Sequence, residues 1–369
     1  WWSQSTLSPP AEAEAILGAM KVPPADLAEQ LFAIPLGSDD TLLLYAPLHG
    51  VAALVNRSLA RALRRAIATG RPGAFLRAGL TELEDLATPA APPKETDLDK
   101  APPTFDTAVL LLSERCTMRC SYCYASAESH QGGAEMPLPL ALAAIDELTR
   151  GALRAGLGAV SLAFHGGGEP SCAWPTLEAA VAHARQRCER MGLELTVSAA
   201  INGVLLRRQR EALPELFDEL SISCDGLPVV HDSQRPLANG GESFAALAET
   251  LEHLDHADFP YGLRATVTTE GLADLAEGVA FLLERFAPQK IQLEPVFARG
   301  RGEQSEPVDA DAFLQAFVAA EAAANAAGVP LSFSAARPDE LTTVFCDAQR
   351  RALIVTPQGD LSSCVEVHN

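Results

Sequence analysis

The stretch Cys116-Thr117-Met118-Arg119-Cys120-Ser121-Tyr122-Cys123 sets three thiols on one short loop directly after an apolar run, Ala108-Val109-Leu110-Leu111-Leu112. A run of that length and composition reads as a buried strand, which puts the cysteines at a strand's carboxyl end. Three thiolates packed this closely suit an iron–sulfur cluster, whose irons are held by cysteine sulfur. Three ligands leave one iron of a cubane open to a small molecule, whereas a fourth cysteine would make the cluster a sealed electron carrier. Two other readings compete. Three cysteines are most of a zinc site, but the paired C-x2-C halves of a ribbon or finger are missing. Ferredoxin runs carry a fourth cysteine and usually the spacing C-x2-C-x2-C.

Outward from the loop, the pattern from residue 106 alternates strand and helix. Strands are expected at 108–112, 159–164, 193–199, 220–224, 263–268 and 291–297, and helices at 138–155, 175–190, 207–217, 243–256, 272–285 and 311–327. Six β/α units in succession predict an α/β fold with a parallel sheet curled into a partial, TIM-like (β/α)6 barrel. Ligands of such sheets sit at the carboxyl ends of the strands, where the other motifs fall. After the second strand comes His165-Gly166-Gly167-Gly168-Glu169-Pro170. Its glycines allow close backbone approach to a ligand, and Glu169 can accept from an ammonium. A plain glycine turn before a helix is the other reading, and His165 is read as structural. The third strand leads into Ile201-Asn202-Gly203, for which no contact is assigned.

The fourth strand ends Ser223-Cys224-Asp225-Gly226 and runs on to His231-Asp232-Ser233-Gln234-Arg235. Arg235 offers a fork that matches a carboxylate. Asp225 is either functional or a turn-former beside Gly226, and Cys224 is read as core. On the sixth strand Glu294 is an acid/base, a substrate contact or a paired barrel charge. Arg299-Gly300-Arg301-Gly302 is read as a solvated loop, and Cys172 and Cys188 as buried hydrophobes.

The flanks read differently. Residues 1–30 are rich in Ala and Pro and weakly helical, 31–46 reads as two strands about a Gly-Ser-Asp-Asp turn, and 50–69 as a helix. Residues 87–105 form a Pro-rich, charged linker. The expected division is therefore an N-terminal α+β domain over 1–86, the linker, a barrel over 106–335 and a further segment over 336–369. That last segment has a strand–turn–strand pattern with Cys346 and Cys364 flanking it. The 369 residues carry a net charge of −20, which argues against a nucleic-acid partner. No run reaches the length of a membrane span, and no signal peptide is visible. Eight cysteines are too few for a disulfide scaffold in a chain of this size and fit metal in a reducing, cytoplasmic setting.

Taken together, C-x3-C-x2-C with Tyr122 before its last cysteine, the GGE of Gly167-Gly168-Glu169, and the S-x-D-G…HD-x-x-R segment resemble the radical S-adenosylmethionine (radical SAM) enzymes. Within them the likeness is to the branch that modifies peptides and proteins, including the anaerobic sulfatase maturases. The resemblance implies that Cys116, Cys120 and Cys123 hold a [4Fe-4S] cluster whose open iron binds SAM, with Tyr122 beside it. It implies that Gly167, Gly168 and Glu169 hold the SAM amino group, that Ser223 and Arg235 meet its ribose or carboxylate, and that Val296 packs on adenine. Reductive cleavage would give methionine and a 5′-deoxyadenosyl radical.

Cys346, Gly359 and Cys364 resemble the opening of a SPASM domain, which binds auxiliary iron–sulfur clusters; the cysteines here do not complete such a cluster locally. The hairpin-then-helix order near the N-terminus resembles leader-peptide recognition domains, a packing extension being the other reading. The implied function is cross-linking (thioether, C–C or C–O) of a ribosomally made precursor peptide, with a ferredoxin or flavodoxin as electron donor. Formylglycine formation in a sulfatase is the alternative activity, and a non-catalytic peptide-binding scaffold the alternative of another class.

Overall fold

In the computed structural model, the structure describes residues 32–35, 40–46, 51–61, 104–125, 128–129, 132–335, 346 and 348–366. The expectations for residues 1–30 and for nearly all of the linker lie outside them. The described residues fall into two compact units, one below residue 62 and one from 104 onward.

The first unit is an antiparallel meander of β1 (Phe32–Pro35), β2 (Thr41–Ala46) and β3 (Val51–Asn56), in that order. Leu42, Leu44 and Ala46 alternate to the buried side of β2, as a strand's period of two requires. The third strand corrects the expected helix over 50–69. Residues 51–56 pair with β2 along their whole length, from Thr41↔Asn56 to Ala46↔Val51. Hairpin pairing together with β-branched Val51 and Val55 outweighs the helix preference of the alanines between them. Helical residues begin only at 57, where Asn56 Oδ1 accepts from the Leu59 N–H at 2.7 Å in the manner of an N-cap.

The second unit runs β4 (Thr107–Leu110), the short pair β5 (Arg115–Cys116) and β6 (Glu128–Ser129), α1 (Leu138–Arg154), β7 (Ala159–Phe164), α2 (Trp174–Met191), β8 (Glu194–Ile201) and α3 (Arg207–Leu216). It continues with β9 (Glu219–Ser223), α4 (Pro228–Gln234), α5 (Phe244–His256), β10 (Tyr261–Val267), α6 (Leu275–Arg285), β11 (Lys290–Pro295) and α7 (Ala310–Ala327). It closes with β12 (Leu331–Ser332), α8 (Ala348–Arg351), β13 (Ala352–Val355) and β14 (Leu361–Ser362). The six expected strands stand side by side in chain order, β4-β7-β8-β9-β10-β11, and every neighbouring pair is parallel. The sheet is open, as a partial barrel is. β12 adds one edge beyond β11, and β13 and β14 add the other beyond β4.

The segment expected to open an auxiliary domain thus extends the barrel sheet in its described part. β13 lies parallel to β4, from Ala352↔Thr107 to Val355↔Leu110, and β14 turns back antiparallel. Arg351 Nε fastens this edge by donating to Asp106 Oδ2 at 2.8 Å.

The two faces of the central strands differ. Val160, Leu162 and Phe164 on β7, Val197, Ala199 and Ile201 on β8, and Leu220 and Ile222 on β9 are buried in one core with the helices. Ser161 and Ala163, Ser198 and Ala200, and Ser221 and Ser223 point the other way and stay half-buried. Of these, Ala163, Ser198, Ala200, Ser221 and Ser223 line cavities on that face, and Ala163 also packs on a second, smaller apolar cluster of Val109, Leu111 and Ile354. Among the described residues no helix is long and apolar enough to cross a membrane.

Candidate active site

A cavity opens at the carboxyl ends of these strands. Cys116, Cys120 and Cys123 line it together, with Glu169, Ser223 and Arg235. All three cysteines are free thiols and half-buried. The loop that carries them is held from two sides. Arg119 and Ser121 donate their N–H groups to the carbonyls of Pro236 and Gln234 at 2.8 and 2.9 Å, and Ala238 N–H returns to Thr117 O at 2.9 Å. On the other side Arg301 donates its N–H to Cys123 O at 3.0 Å and Nε to Cys120 O at 2.8 Å. The loop read as solvated, 299–302, is therefore a brace for the cysteines. Gly302 fits there because a Cβ would press on the Phe297 and Tyr122 carbonyls.

The glycine loop after β7 packs on the same backbone. Gly168 N–H donates to Ser113 O at 2.6 Å and Glu169 N–H to Arg115 O at 2.8 Å. A Cβ at Gly168 would collide with the Arg115 carbonyl, and Gly167, at φ +69°, would bring one to 3.0 Å of Ser113 O. These glycines let two loops of the protein touch, which is a different task from approaching a ligand. Gly168 also faces the cavity; Gly167 does not line it.

Glu169 is buried, and its carboxylate joins two loops. Oε1 accepts from Ser171 N–H at 3.2 Å and Oε2 from Asn202 N–H at 2.8 Å. Burial lifts its pKa to about 7 against the pull of those hydrogen bonds. Asn202, left without a role by the sequence reading, also donates Nδ2 to Thr117 Oγ1 at 2.9 Å and approaches Cys116 Sγ at 3.8 Å.

Asp225 is the hub beneath the cysteines. Its Oδ1 accepts from Thr266 N–H at 3.0 Å, and its Oδ2 accepts from the Tyr122 hydroxyl and pairs with Arg235 Nε at 3.0 Å. Arg235 stacks over the Tyr122 ring at 5.2 Å and sets Nη1 3.9 Å from Cys120 Sγ. Burial favours an uncharged Arg235, but Asp225, Tyr122 and Cys120 outweigh it and hold its pKa above the ordinary value. Of the neighbouring motif residues, Asp232 caps α5 by accepting from the Ser243 and Phe244 N–H groups, both at 2.7 Å, and His231 Nδ1 accepts from Asp225 N–H at 3.3 Å. The Tyr122–Asp225 pairing was missed because it spans 103 residues of sequence.

On the last strand the lining is made by Glu294, Pro295 and Phe297, and Val296 between the last two is not part of it. Glu294 is held by neutral donors: Gln292 Nε2 donates to it at 2.5 Å, and Ser334 donates N–H and Oγ at 2.9 and 2.8 Å. Cys188 and Cys224 are buried as expected. Cys172 is half-buried instead, near enough to Glu169 to feel its charge, and burial raises its pKa to about 11. Cys346 is exposed and Cys364 half-buried, and neither forms a disulfide. Each accepts the N–H two residues on at 3.4 Å, Ala348 to Cys346 and Glu366 to Cys364, as Met118 does to Cys116.

The donor set fits an iron–sulfur cluster. Burial, foremost, pushes the Cys116 thiol well above its ordinary pKa and the Cys120 thiol to about 11, so both are neutral until a metal displaces the protons. Among the described residues no three His, Cys, Asp or Glu side chains close on a single metal ion. A cubane makes a different demand, because each cysteine serves a separate iron.

Residues 110–281 match the model of the Radical SAM superfamily. The chain is similar to an uncharacterised protein of Methanocaldococcus jannaschii, 27% identical over 176 residues, which are 47% of this chain and 57% of that one. It is 28% identical over 206 residues to the Fe-coproporphyrin III synthase of Methanosarcina barkeri, covering 55% of this chain and 47% of that one. The chain thus spans about half the length of the curated relatives it matches. In fold it is similar to native anSMEcpe with bound AdoMet and Kp18Cys peptide, at a TM-score of 0.57 and 18% identity over 70% of this chain and 74% of that one.

Proposed function

We propose that Cys116, Cys120 and Cys123 hold a [4Fe-4S] cluster and that the chain is a radical SAM enzyme acting on a ribosomally made peptide. The observation that carries this reading is the meeting of those three thiols with Glu169, Ser223 and Arg235 in one cavity at the strand ends. When bound, the cluster supplies the electron that cleaves SAM and so the radical that abstracts hydrogen from the substrate. Glu169 is suited to the SAM ammonium, since a cation beside it would restore the charge that burial suppresses. Ser223 stands by for the ribose or carboxylate. Arg235 has Nε committed to Asp225 and Nη1 toward Cys120, so its first task is to offset thiolate charge and to fix Tyr122. Asn202 and Arg301 keep the cysteine loop in register.

A peptide substrate is supported by the anSMEcpe fold likeness, since that protein's structure holds a peptide beside AdoMet. Cross-linking of the peptide is the reading carried over from the sequence, with a cytoplasmic ferredoxin or flavodoxin as donor. Cys346 and Cys364 share the N–H···S arrangement of Cys116, which suits thiolates and supports a role as auxiliary-cluster ligands.

The test is anaerobic reconstitution with iron and sulfide, reduction with dithionite, and an assay of 5′-deoxyadenosine after adding SAM. Production is expected in the native chain and absent when Cys116, Cys120 and Cys123 are all changed to Ala. Production that survives the triple change defeats the proposal.

A further inference from the structure

The lumen holds a cation that the proposed SAM chemistry leaves unused. Arg264 lies on β10, half-buried, and lines the cavity. Among the described residues it makes no ion pair and its side chain makes no hydrogen bond. The acids around the cavity are engaged elsewhere: Asp225 with Tyr122 and Arg235, Glu169 with Ser171 and Asn202, Glu294 with Gln292 and Ser334. Glu366 lies close enough to influence Tyr124 but forms no ion pair with Arg264.

His165, just past β7, faces the same space. It lines the upper cavity and also a second one that opens at the amino ends of the strands. Its Nδ1 is buried and has no hydrogen-bond partner. Burial first, and the charge of Arg264 second, hold the imidazole neutral, with a pKa of about 4. Tyr124, one residue past the cysteine loop, lines the same cavity. A guanidinium, an imidazole and a phenol, from three different elements, thus surround one space. A buried polar atom without a partner is uncommon because leaving it so costs free energy. Here a ligand can supply what the protein does not.

We propose that Arg264, His165 and Tyr124 form a subsite for a carboxylate of the substrate. The carboxylate is either an Asp or Glu side chain or the free end of the peptide. Arg presents a fork matched to a carboxylate, the phenol donates a further hydrogen bond, and the neutral imidazole donates from whichever nitrogen carries its proton. The chain as a whole bears a net charge of −20, so an unpaired cation in the lumen is what would admit an anionic group. This subsite deepens the peptide reading and rests on it.

The experiment uses the reconstituted full chain and three probes: N-acetyl-glutamate amide, N-acetyl-alanine with its free carboxylate, and N-acetyl-glutamine amide as the neutral control. Binding is measured by calorimetry without reductant, so the readout needs no turnover. One of the two acids is expected to bind about tenfold more tightly than the neutral amide, and which acid does so tells side chain from chain end. Arg264→Met should erase that preference, Arg264→Lys should keep part of it, and His165→Asn should weaken the preferred acid several-fold. Iron content and circular dichroism check that each variant is folded. The subsite is overturned if neither acid is preferred, or if the preference persists in Arg264→Met. It is also overturned if that change weakens only SAM binding. Failure of SAM cleavage in the native chain is a separate result, which strikes the proposed function and leaves this binding test standing.

Discussion

The two faces of the barrel strands carry unlike chemistry on the same backbone. Toward the helices, β7 presents Val160, Leu162 and Phe164, the last two fully buried; toward the lumen it presents Ser161, Ala163 and, just beyond its end, His165. β8 and β9 repeat the division with Val197, Ala199 and Ile201 against Ser198 and Ala200, and with Leu220 and Ile222 against Ser221 and Ser223. Since side chains alternate along a strand, a single sheet is free to place its stabilising residues on one face and its reactive ones on the other. Over β7 to β9 that face needs little filling, because Ser and Ala have little apolar surface to bury, whereas at the β4 edge Val109, Leu111 and Ile354 pack together.

If the division is right, mutations should sort by face. Phe164→Ala is expected to cost the most, about 3–5 kcal/mol, because it removes a fully buried ring from the core; chemical denaturation of the metal-free protein measures it. Asp225→Ala sharpens the comparison, since it lies at the lumen end and should still cost about 3 kcal/mol by leaving Arg235 a buried, unpaired cation. Adding Arg235→Met should recover part of that loss. If the double variant is no better than the single one, Asp225 acts through something other than its charge.

Glu169 gives a smaller, pH-dependent effect. Its folded pKa of about 7 lies above the ordinary 4.5, so the folded protein keeps a proton that the unfolded chain gives up between those values. Stability from this group is therefore full below about pH 4.5 and declines as the pH rises to about 7. His165 and His231, held neutral with pKa values of about 4, act in the opposite sense and lose their contribution as the pH falls from 6.5 toward 4. Thermal melts of the native protein and Glu169→Gln, both metal-free, should show a difference that changes across pH 4.5–7 and is constant above it. A constant difference throughout would mean that the carboxylate titrates normally. The least effect belongs to Ser198→Ala on the lumen face, expected within about 0.5 kcal/mol of native; a loss as large as that of Phe164→Ala would break the comparison itself.

Most of the barrel was legible because its signals are local. The run at 159–164 and the helical pattern at 311–327 settle their own elements through burial period alone, and the structure places them at Ala159–Phe164 and Ala310–Ala327. What escaped depends on partners far away in sequence. Val51–Asn56 reads as helix until β2 is beside it. The partnership of β13 with β4 joins residues more than two hundred positions apart and leaves no mark in either segment. The site divides the same way. Spacing singled out the cysteines, and the likeness to radical SAM motifs singled out the glycine loop and Arg235. Asp225 stayed open between a functional and a turn residue and Arg301 looked solvated, because their roles exist only once other loops arrive.

The brace from Arg301 to the carbonyls of Cys120 and Cys123 has a consequence for how the protein is made. The cysteine loop leaves the ribosome long before its support, since Arg301 follows Cys120 by 181 residues. In a chain that reaches residue 238 but not 301, the thiols sit on a strap fixed at one side only. Contacts so distant in sequence form late in folding. We therefore expect nascent chains that end before residue 300 to take up iron poorly even though all three cysteines are present, so that loading waits for the last turn of the barrel to be translated.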